Sequence, residues 1–222
     1  METPTALPHV EVDVVVFTLC QHDLKVCLVR VDNTTWQLPG GFVAIHEGLE
    51  EAALRQLVEK TGVSAVYLQQ LYTFGTPDRI AHQRLISVVY LALIAASKLP
   101  IGCTDTTGPS MMWHSVYALP PLLLDHGAII DYALTRLRYK IEYSAAAFEL
   151  LPEEFTLREL QDAYMIILND RTLDKANFRK KLREAEILEP VSRYRETGGR
   201  PAKLYRFRKD AQLEVKARRF FP

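Results

Sequence analysis

Residues 36–63, WQLPGGFVAIHEGLEEAALRQLVEKTGV, decide the fold of this 222-residue chain. The stretch opens with Leu38-Pro39-Gly40-Gly41, where adjacent glycines allow a positive φ or a close approach of the backbone to a ligand. From Leu49 to Thr61 apolar residues recur at helical spacing, and Gly62 follows where helices commonly end. The stretch therefore predicts a glycine-rich loop followed by an amphipathic helix.

The order and spacing of Gly41, Glu47, Arg55, Glu59 and Gly62 resemble the Nudix box. In that family the carboxylates that follow the arginine converge on Mg²⁺, a hard cation that prefers oxygen ligands. The resemblance implies the fold class α/β, namely a Nudix-like α/β/α sandwich whose central helix borders a nucleoside-diphosphate site.

The chain departs from the box on one helix face, because residues at i, i+3 and i+4 lie side by side. There Gln56 and Lys60 replace two carboxylates, and Lys60 places a positive charge where the metal would lie. Only Glu47 and Glu59 remain as residual acidic ligands, which would make a weak Mg²⁺ site. We therefore predict no metal, no cofactor and no catalytic residue, so that diphosphate hydrolysis is absent or feeble.

Composition indicates an ordinary globular protein, with 48% hydrophobic and 24% charged residues. The longest apolar run, near residues 85–96, is interrupted by Ser87 and is too short to span a bilayer. The N-terminal residues are neither a signal nor a transit peptide. Cys20, Cys27 and Cys103 lack metal-ligand spacing, and their odd number suits a reducing compartment. We expect a cytoplasmic protein, with no membrane partner and with buried or unreactive thiols.

Charge is distributed unevenly although the formal net charge is zero. Residues 153–222 hold 17 Lys and Arg against 12 Asp and Glu, and within them residues 171–222 hold 16 against 7. A basic C-terminal module indicates an anionic polymer as partner, although a solvated charged surface would also account for it.

Hydrophobic patterns divide the chain into an N-terminal and a C-terminal part. Alternating or continuous apolar runs predict strands at residues 10–17, 24–31, 65–73, 85–94 and 112–117. A helical pattern from Ala128 to Leu151, ended by Pro152, predicts one long connecting helix. The predicted domains are residues 1–127 for the Nudix-like effector-binding domain, 128–152 for the connecting helix and 153–222 for a DNA-binding domain.

The C-terminal part predicts a winged helix-turn-helix. Thr156 and Glu159 form a capping box that begins one helix, and Asp174 can cap a second, basic helix. Two strands at residues 191–195 and 203–208 flank a basic glycine-rich turn, which is typical of a wing. The predicted DNA-binding residues are Lys175, Asn177, Arg179, Lys180, Arg183, Arg195, Arg200 and Lys203.

The two parts together resemble the Nudix-related transcriptional regulators of NAD metabolism, from about Val12 to Phe207. The resemblance implies a homodimer that binds double-stranded operator DNA and responds to ADP-ribose or a related nucleotide, most simply as a repressor. A sugar-responsive branch shares this architecture. The alternative from another class is an active Nudix hydrolase, an ADP-ribose pyrophosphatase.

The expected effector site combines the glycine-rich loop, the helix face and a later loop that carries two arginines. Arginine forks suit phosphates, although Arg79 and Arg84 could equally be solvated loop residues. For Arg55, an internal ion pair with Glu47 that ties the loop to the helix is favoured over a contact with the effector. The predicted effector-binding residues are Gly40, Gly41, Phe42, Arg55, Glu59, Lys60, Arg79 and Arg84.

Overall fold

The structure, a computed structural model, describes residues 7–64, 66–81, 83–99, 103, 110–142, 144–196, 198 and 201–208. The chain divides into two compact units. The first comprises Met1–Phe17, Lys25–Leu93 and Leu99–Ala133, and the second comprises Thr18–Leu24, Ile94–Lys98 and Leu134–Pro222.

A seven-stranded sheet organises the N-terminal part. Its strands are β1 (His9–Cys20), β2 (Asp23–Arg30), β3 (Trp36–Gln37), β4 (Gly40–Phe42), β5 (Tyr67–Phe74), β6 (Leu85–Leu93) and β7 (Met111–Ser115). The order is β3-β2-β1-β6-β5, with β4 paired to β1 and β7 paired to β2. β1 and β6 run parallel, and their apolar side chains are almost all buried, which confirms the strands predicted there.

Helix α1 (Leu49–Thr61) has the predicted bounds, and Gly62 ends it at a φ of 70°. Ala52, Ala53 and Leu57 are buried as the apolar stripe required. The expectation of a glycine-rich loop is wrong for Gly40, because residues 40–42 form β4 against β1. A Cβ atom on Gly40 would lie 2.4 Å from the Val12 carbonyl oxygen, so the glycine is needed for close strand packing rather than for a turn.

The predicted long connecting helix is interrupted. Helix α2 (His126–Ile141) ends ten residues before the predicted terminus at Leu151, and a 3₁₀ helix follows at Ala145–Leu150. Ser144 lies at the break, where its hydroxyl donates to the Lys140 carbonyl at 2.7 Å and accepts from the Ala146 amide at 3.3 Å. A serine that binds nearby backbone groups offers an alternative to continued helical hydrogen bonds.

The C-terminal part has the order of elements that a winged helix requires. It consists of β8 (Phe155–Thr156), α3 (Leu157–Leu168), α4 (Lys175–Ala185), β9 (Leu188–Arg195) and β10 (Ala202–Phe207), with sheet order β8-β10-β9. Thr156 and Asp174 cap α3 and α4 as predicted. The rings of Tyr164 and Phe178 lie 5.3 Å apart and join the two helices. Strand β8 is too short for a sequence pattern to indicate.

The expectation about the cysteines is wrong for two of the three. Cys20 and Cys103 are disulfide-bonded, whereas Cys27 is free and buried. Sequence separation says nothing about which cysteine side chains meet in a fold. Among the described residues, none of the helices has the length and apolar character needed to cross a membrane.

The capping box at the start of α3 yields a stability prediction. The Thr156 hydroxyl accepts from the Glu159 amide at 3.1 Å, and the Glu159 carboxylate accepts from the Thr156 amide at 2.7 Å. Thr156→Ala should lower the free energy of unfolding by about 1 kcal/mol in urea titrations, because an amide loses its partner. Thr156→Ser keeps the hydroxyl and should retain most of that stability. Equal loss in both variants would contradict the capping role.

Candidate effector and DNA-binding sites

Glu47 and Arg55 form the central ion pair of the Nudix-type motif. Arg55 donates to the two Glu47 carboxylate oxygens from Nε at 2.8 Å and from Nη2 at 2.5 Å. These bonds, and a smaller contribution from the Ala44 amide, lower the pKa of Glu47 to about 2. Arg55 Nη1 also lies 3.3 Å from Glu59, so one guanidinium contacts both residual carboxylates. The predicted internal ion pair is therefore present.

Gln56 and Lys60, the two replacements in the motif, both bind the main chain of β4. The Lys60 ammonium donates to the Gly40 carbonyl oxygen. The Gln56 amide satisfies both of its groups when Nε2 donates to the same oxygen at 3.0 Å and Oε1 accepts from Arg55 at 3.1 Å. A Cβ atom on Gly41 would lie 2.5 to 2.8 Å from the Gln56 amide group, so a larger residue at this position would force the Gln56 side chain to move.

The residues present do not fit Mg²⁺, which needs several oxygen ligands in near-octahedral geometry. Both residual carboxylates contact Arg55, and the Lys60 ammonium occupies a backbone oxygen next to them. In the part of the chain that the structure describes, no cluster of three or more His, Cys, Asp or Glu could hold a metal ion.

Arg79 is a buried ion-pair residue, so the alternative of a solvated loop arginine is wrong for it. Its side chain is 2% exposed, and Nε donates to both Asp125 carboxylate oxygens at 3.0 and 2.8 Å. Nη1 donates to Glu11 at 3.4 Å, and Nη2 lies 3.9 Å from Asp13. Three carboxylates surround this one cation. Its contact with an effector stays a prediction, and it would require Arg79 to leave these partners.

The same buried cluster perturbs two further groups. Burial raises the pKa of Glu11 to about 7, with a further increase from Asp13 that Arg79 opposes. Burial also lowers the pKa of His126, whose Nδ1 accepts from the Leu38 amide at 2.9 Å. A neutral imidazole thus holds the backbone just before Gly40, and protonation of Glu11 reduces the repulsion between Glu11 and Asp13.

Lys60 and Arg84 differ from the other predicted effector-binding cations, because neither has a carboxylate partner within the described residues. Lys60 binds a carbonyl oxygen, and Arg84 Nη1 makes only long contacts with the Thr76 and Leu85 carbonyls, at 3.5 and 3.4 Å. Their charges are therefore available for an anion. Phe42, 56% exposed, offers an apolar surface in β4.

Helix α4 has one buried face and one basic face. Phe178 and Leu182 are buried, and the Phe178 ring packs on Tyr164 of α3. The exposed pair of Lys180 and Glu184, 3.9 Å apart, is of the weak surface kind that DNA phosphates readily replace. Five of the predicted DNA-binding residues are exposed on this helix, namely Lys175, Asn177, Arg179, Lys180 and Arg183.

Arg195, a predicted DNA contact, has internal partners. Its Nη1 donates to the Glu159 carboxylate, and its Nη2 donates to the Glu154 carbonyl oxygen at 3.1 Å. Arg193, two residues earlier on the same strand, binds the Glu154 carboxylate. The geometry gives Arg195 a role in holding the wing to α3, and its contact with DNA stays a prediction.

Of the other two predicted wing residues, Lys203 and Arg200, the structure describes only Lys203. Lys203 is exposed on β10, with its Nζ 6.0 Å from the Tyr205 ring centroid. Arg200 lies outside the described residues.

Comparison with known proteins finds a matching domain family for the N-terminal part and another for the C-terminal part of the chain. Residues 8–136 match the NUDIX domain model, and residues 147–207 match the NrtR DNA-binding winged helix domain model. The ADPR responsive transcriptional repressor NtrR of Acinetobacter baylyi is 33% identical over 206 residues, which cover 90% of this chain and 82% of that protein. The chain belongs to the NrtR family.

Two solved structures support membership of the NrtR family. Shewanella oneidensis NrtR complexed with a 27mer DNA is 35% identical with a TM-score of 0.79, covering 91% of this chain and 94% of that one. The NUDIX domain of the same NrtR complexed with ADP ribose is 33% identical with a TM-score of 0.51, covering 61% and 93%. The predicted fold, a Nudix-like domain followed by a winged helix, is therefore confirmed. The predicted domain boundaries at residues 127 and 152 stay predictions.

Sequence reasoning missed the buried cluster that surrounds Arg79. Its members are Glu11, Asp13, Asp125 and His126. A signal was present in the sequence, because Asp13 interrupts a run of valines in a strand that is otherwise buried. A carboxylate in that position needs a cationic or hydrogen-bonding partner.

The raised pKa of Glu11 predicts a pH dependence of stability. Between about 4.5 and about 7, the folded protein keeps a proton on Glu11 that the unfolded chain releases. Stability contributed by this group is therefore present below pH 4.5 and is lost as pH rises through 7. Glu11→Gln should flatten the unfolding free energy across this range, measured by urea titration at several pH values.

The exposed residue Glu50 provides the matched control for this experiment. Glu50→Gln should leave the pH profile of the parent protein unchanged. A Glu11→Gln profile as steep as the parent profile would contradict the raised pKa of Glu11.

Proposed function

We propose that this protein is a transcriptional repressor of NAD-metabolism genes that binds operator DNA as a homodimer and responds to ADP-ribose or a closely related nucleotide. The observation that carries the proposal is similarity along both units to a DNA-bound relative, at a TM-score of 0.79. We expect a repressor of such genes to act in the cytoplasm.

DNA binding is supported by the exposed basic face of α4. A second helix of a helix-turn-helix enters the major groove, where its side chains contact phosphates and base edges. Lys175, Arg179, Lys180 and Arg183 are exposed there, and the wing adds Lys203. The capped start of α4 at Asp174 fixes where this face begins.

Effector binding without metal is supported by the contacts around β4. The carboxylates that would hold Mg²⁺ are engaged by Arg55, whereas Lys60 and Arg84 keep charges that no carboxylate neutralises within the described residues. Charge-assisted bonds to a diphosphate are stronger than neutral hydrogen bonds. We therefore assign the diphosphate of the effector to Lys60 and Arg84, and the Nudix-type unit acts as a sensor.

The first test measures DNA binding. The parent protein should retard a fragment of the region upstream of its own gene or of NAD-metabolism genes, and ADP-ribose should release it. Lys180→Ala and Arg183→Ala should weaken binding, because each removes a positive charge from the recognition face. A phosphate contact would reduce the salt slope by about one unit, whereas a base contact would relax specificity.

The control for this test is Lys98→Ala, which removes an exposed lysine remote in sequence from the winged helix. Unfolding curves should be shifted by less than about 0.5 kcal/mol in all three variants. Affinity that stays unchanged in both α4 variants would place the DNA-binding surface elsewhere.

The second test measures effector binding by calorimetric titration of ADP-ribose, first with Mg²⁺ and then with EDTA. Binding should persist in EDTA, and the recovered ADP-ribose should be intact. Lys60→Glu should weaken metal-free binding, because it reverses a charge beside the proposed diphosphate, whereas Lys98→Glu should not. Loss of parent binding in EDTA, or rapid Mg²⁺-dependent cleavage, would favour an active hydrolase. Binding of a sugar in preference to ADP-ribose would indicate a sugar-responsive regulator.

A further inference from the structure

Helix α2 has a regular exposed face opposite its buried one. Buried apolar residues hold the helix against the protein on one side, as shown by Ile129, Ile130, Ala133, Leu137 and Ile141. On the other side Ala128, Tyr132, Thr135 and Tyr139 follow one another at spacings of four, three and four residues. This is the spacing of the a and d positions of a coiled-coil seam.

The centre of this face consists of small and aromatic side chains without charge. Tyr132 and Tyr139 are 36% and 58% exposed, so both present aromatic surface to solvent. Large exposed aromatic side chains at seam positions are costly in a monomer unless they contact another surface. The face therefore has the composition of a contact between helices.

Charges of opposite sign border the seam. Asp131 precedes Tyr132 on one side of the seam and Arg136 lies on the other, at the g and e positions of the same repeat. Both side chains are exposed, and neither forms an ion pair within the residues that the structure describes. In a parallel pair of helices, the g residue of one helix faces the e residue five positions later on the other helix. Asp131 and Arg136 are five positions apart, so Asp131 of one helix would face Arg136 of the other.

An aromatic group on β5 extends the apolar surface beside Tyr132. The rings of Tyr72 and Tyr132 lie 5.3 Å apart, and Phe74 lies 6.0 Å from Tyr132. Tyr72 is 53% exposed, and β5 is the last strand on its side of the seven-stranded sheet. Residues 61–77 contain no Asp, Glu, Lys or Arg, the residues that usually keep a sheet edge from associating.

We propose that α2 pairs in parallel with α2 of a second copy of this chain. The seam brings Ala128, Tyr132, Thr135 and Tyr139 of the two copies together, and each Asp131 binds Arg136 of the other copy. The proposal deepens the homodimer of the proposed function, on which it rests, by naming the surface that forms it.

Charge complementarity identifies the occupant as a second copy. A two-fold interface must be complementary to itself. The seam meets this condition because its acid and its base occupy matching g and e positions, so that two identical ion pairs form across the interface. In an antiparallel pair, g positions face g positions, so that Asp131 would approach Asp131. The charges therefore select the parallel arrangement.

The experiment measures oligomeric state by sedimentation velocity without DNA or effector, so its result does not depend on either binding activity. The parent protein should be a dimer at micromolar concentration. Asp131→Arg and Arg136→Asp should each raise the dimer dissociation constant about tenfold or more, because two attractive pairs become two repulsive ones. Arg171→Asp, an exposed charge change outside α2, should leave the constant unchanged.

The decisive test is a mixture of the Asp131→Arg and Arg136→Asp variants. An Asp131→Arg chain and an Arg136→Asp chain complement each other at both pairs, so the mixture should form heterodimers with near-parental affinity. The double variant Asp131→Arg/Arg136→Asp should also dimerise. A monomeric parent, dimers that resist both single substitutions, or a mixture that stays dissociated would each overturn the proposal. Tyr139→Glu should dissociate the dimer independently, and an intact dimer in that variant would also overturn it.

Discussion

Arg55 binds Glu47 through two nitrogens and reaches Glu59 from the same guanidinium, so the loop before α1 and the helix itself share one cation. That interaction fixes the approach of β4 to the helix, where Gln56 and Lys60 bind the Gly40 carbonyl. The same interaction engages Glu47 and Glu59, the two carboxylates that could bind a metal in a Nudix hydrolase. One arginine thus ties the loop to the helix and engages both residual carboxylates of the motif.

The cluster around Arg79 is a second group of charges that depends on one arginine. Desolvating a guanidinium and three carboxylates is costly, and the cost is offset only when each charge has close partners. Arg79 supplies bonds to Asp125 and Glu11, while Ser87 donates to Asp13. A single substitution that removes Arg79 would leave the buried Asp13 and the largely buried Glu11 without their cation, which is more damaging than the loss of one surface contact.

Sequence patterns predicted the features that depend on local chemistry. The bounds of α1, its terminal glycine and the caps at Thr156 and Asp174 follow from rules that involve residues three or four positions apart. The ion pair between Glu47 and Arg55, eight positions apart, was predicted from the resemblance to the Nudix box instead. The NrtR-type pairing of domains was also recognisable, because both halves carry ordered motifs.

Features that depend on distant residues were not predictable in the same way. Arg79 was predicted to bind the effector or to be a solvated loop residue, yet it is paired with Glu11 and Asp125, which are dozens of residues away in the sequence. The helix break at Ser144 depends on which hydrogen bonds a hydroxyl makes, and apolar periodicity continued through it. Arg195 was assigned to DNA from its position in a basic wing, although Glu159 binds it from another element.

Glu159 takes part in two interactions, one at the start of α3 and one with the wing. One carboxylate oxygen accepts from the Thr156 amide at the start of α3, while the other accepts from Arg195 in the wing. A lesion at this acidic residue would weaken helix initiation and release the wing at once. A genetic selection for loss of DNA binding would therefore recover substitutions of Glu159, whose partners lie within the protein, alongside substitutions of basic residues.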